Sequence, residues 1–219
     1  MRNRLLILLL ITIPSVVLDQ WSKFAATDWA LEKVKTLGIN LVGPTGEPLT
    51  GLDKAVALAN NPQIYKGYMN GFFELDYAIN LGAWGGLGDA LGEPLRTILL
   101  TYLVGIFLLG LAFYIVKQKE STWMTVALSF ILAGGIGNFI DRAAYGYVVD
   151  FMVMGFKHPL RTNIFNIADV AIMIGAGVLL VYYIKETLAE SKKKKMQTAP
   201  AVETEQTTDA NADEAESKR

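Results

Sequence analysis

The sequence contains no cysteine and a single histidine, His158. Disulfide bonds, a thiolate nucleophile and cysteine metal sites are therefore excluded, and one loop histidine with no visible partner set does not make a metal site. There is no GxxxxGK[ST] phosphate loop, and no internal repeat long enough for an inverted-repeat transporter. Charge is scarce as well. The runs 5–18, 98–116 and 123–140 hold no Asp, Glu, Lys or Arg, and 164–184 holds only Asp169. Because the one strongly basic run, Lys192 to Lys195, lies close after such a segment, it reads as a topology or anionic-lipid signal and no nucleic-acid partner is expected.

What is present is apolar: 52% of the 219 residues are hydrophobic and the mean hydropathy is +0.33. The runs predict an α-helical membrane protein with four spans, at about 5–26, 96–116, 122–142 and 164–184. Helical residues 5–26 cover about 33 Å, enough for the ~30 Å hydrocarbon core. Arg2 and Arg4 before an apolar run also fit a secretory leader with a cleavage region at Ala25-Ala26-Thr27. Asp19 and Lys23 argue for a retained span, since at i and i+4 they share a helical face and neutralise each other.

Residues 28–70 are punctuated by Gly and Pro and predict an extramembrane segment with one short helix near 52–59. A period of two follows. Phe73, Leu75, Tyr77, Ile79 and Leu81 fall on one face and Glu74, Asp76, Ala78 and Asn80 on the other, an amphipathic strand of a small sheet lying on the bilayer. Basic residues flank the spans at Arg2, Arg4, Lys117, Lys119, Lys185 and Lys192 to Lys195, so both termini are expected on the cytoplasmic side and residues 28–94 and 143–163 outside. The boundaries expected are a membrane domain over 1–186 and a disordered cytoplasmic tail over 187–219, rich in Ala, Thr, Glu and Asp.

With that topology the polar residues of the spans converge on one leaflet. Asp19 and Lys23 lie in the outer part of helix 1. Asn138, Asp141 and Arg142, at i, i+3 and i+4, end helix 3, while Asn166 and Asp169 open helix 4 and Asp150 sits in the outer loop between them. Several readings stay open at this point. Asp141 with Arg142, and Asp19 with Lys23, serve equally as ion pairs pinning helix ends, and Asn166 as a helix cap. Trp123, Tyr145, Tyr147, Tyr182 and Tyr183 read as interfacial anchors, and Gly134, Gly135 and Gly137 as sites of close helix packing. Asp150 and Asp169 have no adjacent basic residue. Brought together, they suit either a proteolytic acid–base pair sharing one proton or a proton or ion path.

Five ordered motifs carry a resemblance to a known family: LDQWSK at 18–23, FFELDYAINLGAWG at 72–85, GGIGNFIDR at 134–142, GYVVDF at 146–151 and FNIAD at 165–169. The sequence resembles the bacterial lipoprotein signal peptidases, signal peptidase II. The resemblance implies an intramembrane aspartyl endopeptidase that cuts prolipoproteins before the diacylglyceryl-modified cysteine of the lipobox, with membrane lipids as its surroundings and neither metal nor organic cofactor. By motif it implies Asp150 and Asp169 as catalytic and Asp141 as supporting. It further implies Asn138, Arg142 and Asn166 as pocket residues, and Asp19, Lys23 and Asn80 near the site, with Asn80 on a strand cradling the membrane surface.

Residues 28–70 exceed the family pattern, and the acidic tail after Lys195 lies outside it. The expectation is a four-helix peptidase of the bacterial inner membrane with its site facing outward. The rivals are a proton- or ion-coupled carrier using the same carboxylates and a non-catalytic adaptor presenting residues 28–94. A carrier needs polar groups through the full depth, whereas the inner halves of these spans are nearly free of charge.

Overall fold

The computed structural model describes residues 2–82, 92–119, 121–156 and 160–198. His158, Trp84, Gly85 and everything from 199 onward lie outside them. Four helices are long and apolar enough to cross a membrane: Asn3–Thr36, Pro94–Lys117, Thr122–Tyr145 and Ile167–Lys194.

Helix α1, Arg2–Thr36, is 35 residues long and runs ten residues past the expected end at 26. The extension TDWALEKVKT is rich in Ala, Leu, Glu and Lys, which favour helix even where polarity takes the chain out of the apolar layer. It ends where Gly38 adopts φ 68° and the Ile39 amide closes onto the Val34 carbonyl. Its buried side chains, Leu8, Thr12, Asp19, Lys23, Ala26, Ala30 and Val34, form a single helical stripe. Helix α2, Gly51–Ala59, is the short helix expected near 52–59. It places Leu58 against Ala30 and Val34 of that stripe.

The second span begins irregularly. Helix α3, Glu93–Thr97, passes into a π-helical segment, Ile98–Leu103, before helix α4, Val104–Lys117, where the hydropathy had predicted one regular helix. Helix α5, Thr122–Tyr145, is the central element, with 44% of its most apolar stretch buried against 17% or less in the other spans. Small residues make that possible. A Cβ on Gly134 would strike the Ala168 carbonyl, and one on Gly137 would stand 2.5 Å from the Asp19 carboxylate.

Strand β1, Tyr65–Tyr68, strand β2, Phe73–Asn80, and strand β3, Val148–Met154, form an antiparallel sheet in the order β1-β2-β3. Two sequence expectations change here. Asp150 is not in a loop: it lies on β3, whose first six residues are all buried. The alternation of β2 also does not persist, because a bulge sets Leu75 opposite Met152 but Ala78 opposite Asp150. One extra residue reverses the faces. Phe73 and Leu75 consequently pack with Ala26, Phe151 and Met152, whereas Tyr77 and Ile79 pack with Ala30, Val34, Leu58, Ile64 and Val149. Glu74, on the polar face of the expected strand, is buried and paired with Arg161 at 2.5 Å.

Helix α6, Ile167–Thr198, continues past the domain boundary expected at 186. The chain divides into one packed unit over Met1–Tyr182 and another from Tyr183. Residues 187–198 are helical rather than irregular, and described side chains from Tyr183 to Lys194 are exposed.

Candidate active site

The start of α6 sets the frame. Asn166 precedes the helix and its Oδ1 accepts the Asp169 amide at 3.0 Å, while Asp169 Oδ2 accepts the Asn166 amide at 3.2 Å. This reciprocal pair satisfies two amides that a helix N-terminus otherwise leaves open. The amide between them, of Ala168, donates to Asp19 Oδ1 of α1 at 2.8 Å. Asn166 is therefore a cap, but its Nδ2 does more. It donates to Asp150 Oδ1 at 2.6 Å and lies 3.0 Å from Asn138 Oδ1 and 3.3 Å from the Val149 carbonyl.

One fully buried residue thus joins the two aspartates, its side chain donating to the Asp150 carboxyl and its backbone amide to the Asp169 carboxyl. Asn138 supports the other side, giving Nδ2 to Asp169 Oδ1 at 2.9 Å and accepting from Lys23 at 3.1 Å. Asn80 donates to Asp150 Oδ2 at 3.2 Å, which the bulge permits by bringing that end of β2 into register with Val148. Burial and then the neighbouring negative charge of Asp169 push the Asp150 carboxyl up to about 7, against the opposing hydrogen bonds from Asn80 and Asn166.

A buried layer beneath consists of Asp19, Lys23 and Asp141. Lys23 Nζ stands 2.9 Å from Asp19 and 3.1 Å from Asp141. The Asp141 ion pair therefore reaches across to α1, not to its sequence neighbour Arg142. Asp141 also accepts the Val149 amide at 3.1 Å, while Arg142 turns to the Gly82 carbonyl at 2.6 Å. Beside this layer is a cavity of about 210 Å³, lined in part by Gln20, Lys23, Thr27, Tyr77, Asp141 and Tyr147. At roughly 30 Å³ per molecule, it has room for several waters.

Eight of the nine residues singled out from the sequence thus fall in one connected network, and Arg142 lies beside it, bonded to the Gly82 carbonyl. Gln20 was passed over, although its Nε2 lies 3.1 Å from Asp19, 2.9 Å from Asp141 and 3.1 Å from the Gly137 carbonyl. Its signal was its place in LDQWSK, between two charged residues of the same helix. Motif reading that weighs only charge overlooks an amide.

A family model described as signal peptidase (SPase) II matches residues 11–185. The chain belongs to the signal peptidase II family. Among curated relatives, the lipoprotein signal peptidase of Streptococcus pneumoniae is 34% identical over 146 residues, covering 64% of this chain and 90% of that protein. That of Anaeromyxobacter sp. is 31% identical over 185 residues, covering 81% and 83%. A solved bacterial membrane enzyme, determined by the in meso method at 2.3 Å resolution, superposes with a TM-score of 0.56 at 25% identity, covering 82% of this chain and 88% of that one. The four spans and small antiparallel sheet are the fold of a multi-pass signal peptidase II.

Proposed function

We propose that the chain is an aspartyl endopeptidase that removes signal peptides from prolipoproteins, cutting before the diacylglyceryl-modified lipobox cysteine. The observation that carries this reading is the joint suspension of Asp150 and Asp169 on Asn166 at the membrane-surface end of the bundle. Family membership supplies the substrate class. A lipidated cysteine keeps its peptide bond near the bilayer surface, the level at which α1, α5 and α6 set their polar side chains.

In this reading the dyad shares one proton, carried by Asp150, whose carboxyl burial raises, and Asp169 is the member that accepts a proton from water. Water bound between them transfers a proton to Asp169 as its oxygen bonds to the scissile carbonyl carbon. The carbonyl oxygen takes the proton of Asp150. When the tetrahedral species collapses, a hydroxyl proton returns to Asp150, Asp169 protonates the leaving nitrogen, and the C–N bond breaks. The dyad again holds one proton. Asn80, Asn138 and Asn166 keep both carboxyl groups oriented through this cycle without adding charge. Arg142 lies within Coulombic reach of Asp150 and Asp169 and moderates the negative charge of the pocket.

Lys and Arg at the opposite span ends support a cytoplasmic location for those ends and for both termini. The site then faces the extracytoplasmic side of the inner membrane. The test is cleavage of a diacylglyceryl-modified prolipoprotein by the purified protein in lipid, compared with Asp150→Asn and Asp169→Asn. Both variants should be folded and inactive. Cleavage by either at the native rate removes that residue from the dyad.

A further inference from the structure

The two supporting carboxylates make a matched pair of contacts. Asp19 holds the amide of Ala168, the residue before Asp169, and Asp141 holds the amide of Val149, the residue before Asp150. Each member of the dyad is thereby anchored through its preceding backbone amide to one buried carboxylate. The separation of the dyad then depends on what fixes Asp19 and Asp141 to each other. Lys23 is one tie, through the Oδ2 atoms of both.

Gln20 is the other. Its Nε2 reaches Asp19 Oδ2 and Asp141 Oδ1, and the carbonyl of Gly137 directs the amide from the facing helix. Lys23 and the Val149 amide both address Asp141 Oδ2, so Gln20 supplies the hydrogen bond to the remaining oxygen. Without it the carboxylate can turn about the Oδ2 contacts, and the Val149 amide moves with it. A second cation at this place would tie the pair as well, but its field would reach the shared proton. A neutral amide gives the same geometry with no net charge.

Resting on the dyad reading above, we propose that Gln20 is a positioning residue that locks Asp19 to Asp141 and so sets the spacing of Asp150 and Asp169. It touches neither substrate nor reacting atoms. The cavity beside it gives replacement side chains room, so substitution need not strain the bundle.

The test uses the full-length protein in lipid, with Gln20→Met, which keeps length and removes the donors, and Gln20→Glu, which keeps shape and inverts the interaction. Steady-state cleavage of a diacylglyceryl-modified prolipoprotein is measured beside thermal unfolding, well below each melting temperature. Gln20→Met should lower kcat about tenfold to a hundredfold, with KM within about twofold of native, because misplacement by a fraction of an ångström acts on the chemical step. Gln20→Glu should lose most relative to native at neutral pH and recover part of the loss near pH 5. Its ionised carboxylate would oppose Asp19 on α1, Asp141 on α5, Asp150 on β3 and Asp169 on α6, with Lys23 and Arg142 the cations among the described residues to offset it. A native kcat in Gln20→Met, or a lowered melting temperature with kcat unchanged in both variants, overturns the proposal. Absence of cleavage by the native protein instead removes the dyad reading on which it rests.

Discussion

Replacing Asp150 by Asn should abolish cleavage and stabilise the protein, by an amount that grows with pH. Burial and the neighbouring charge of Asp169 push the Asp150 carboxyl up to about 7 in the folded state, from an ordinary value of 3.8. Because its folded value is raised, the folded protein binds this proton more tightly than the unfolded chain does. The group's contribution to stability is fully present below about pH 4, is lost progressively as pH rises toward 7, and is constant above that. A rise of about three pH units at roughly 1.4 kcal/mol each makes ionised Asp150 a liability of about 4 kcal/mol at pH 8. Asn carries no such liability. It does, however, present an NH2 group to either the Asn80 or the Asn166 donor, which returns about 1–3 kcal/mol.

The net gain expected at pH 8 is therefore about 1–3 kcal/mol, or several degrees in melting temperature for a unit of this size. At pH 4 the liability is absent and the variant should equal the native protein or fall below it. The assay is thermal unfolding of both proteins in the same lipid or detergent at pH 4, 6 and 8, with cleavage followed in parallel. A stability difference that does not rise between pH 4 and 7 would refute the claim that Asp150 is desolvated and coupled to Asp169. That result would also remove the argument for a shared proton.

Gly137→Ala brings a Cβ to 2.5 Å from the Asp19 carboxylate, which holds the amide before Asp169, so the cleavage rate should fall about tenfold or more; a native rate would mean that Asp19 is not needed where it stands. Lys23→Met leaves two buried carboxylates facing each other without a cation and should destabilise by about 3–5 kcal/mol, read by unfolding in bicelles. Leu58→Ala opens a hole in the cluster that contains Tyr77 and Val149 and should lose about 2–4 kcal/mol in the same measurement. If Leu58→Ala unfolds like the native protein, the segment over 37–64 does not support the sheet.

The spans were legible because desolvating a backbone outside a helix is so unfavourable in lipid that uncharged runs have few alternatives. Helix ends were not. The polar continuation of α1 to Thr36 leaves the apolar layer without any residue that breaks a helix before Gly38, and hydropathy registers the first event only. Strand β3 escaped because VVDFMVM does not alternate: a strand buried on both faces reads as an apolar run. The bulge in β2 escaped because it depends on pairing with Met152 and Asp150, which no local pattern encodes.

The site divides in the same way. Spacing brought Asn138, Asp141 and Arg142 onto one helix, and motif resemblance chose Asp150 and Asp169 among the aspartates. The partners of those residues are long-range. That Asp141 pairs with Lys23 rather than Arg142, and that Asn166 serves Asp150 while capping α6, follow from helix crossings made close by Gly134 and Gly137.

The reciprocal cap at the head of α6 bears on how the enzyme can escape inhibition. Asn166 and Asp169 use their side chains to begin a membrane helix and present the same side chains to the proposed reaction centre, Asn166 capping with Oδ1 and reaching Asp150 with Nδ2. A compound that replaces the hydrolytic water and bonds to these groups meets residues whose exchange would unravel the first turn as well as silence the chemistry. Resistance by substitution at the point of contact is then closed to the organism. The changes that remain available lie on the lipid-facing and loop surfaces around it, or in how much of the enzyme is made.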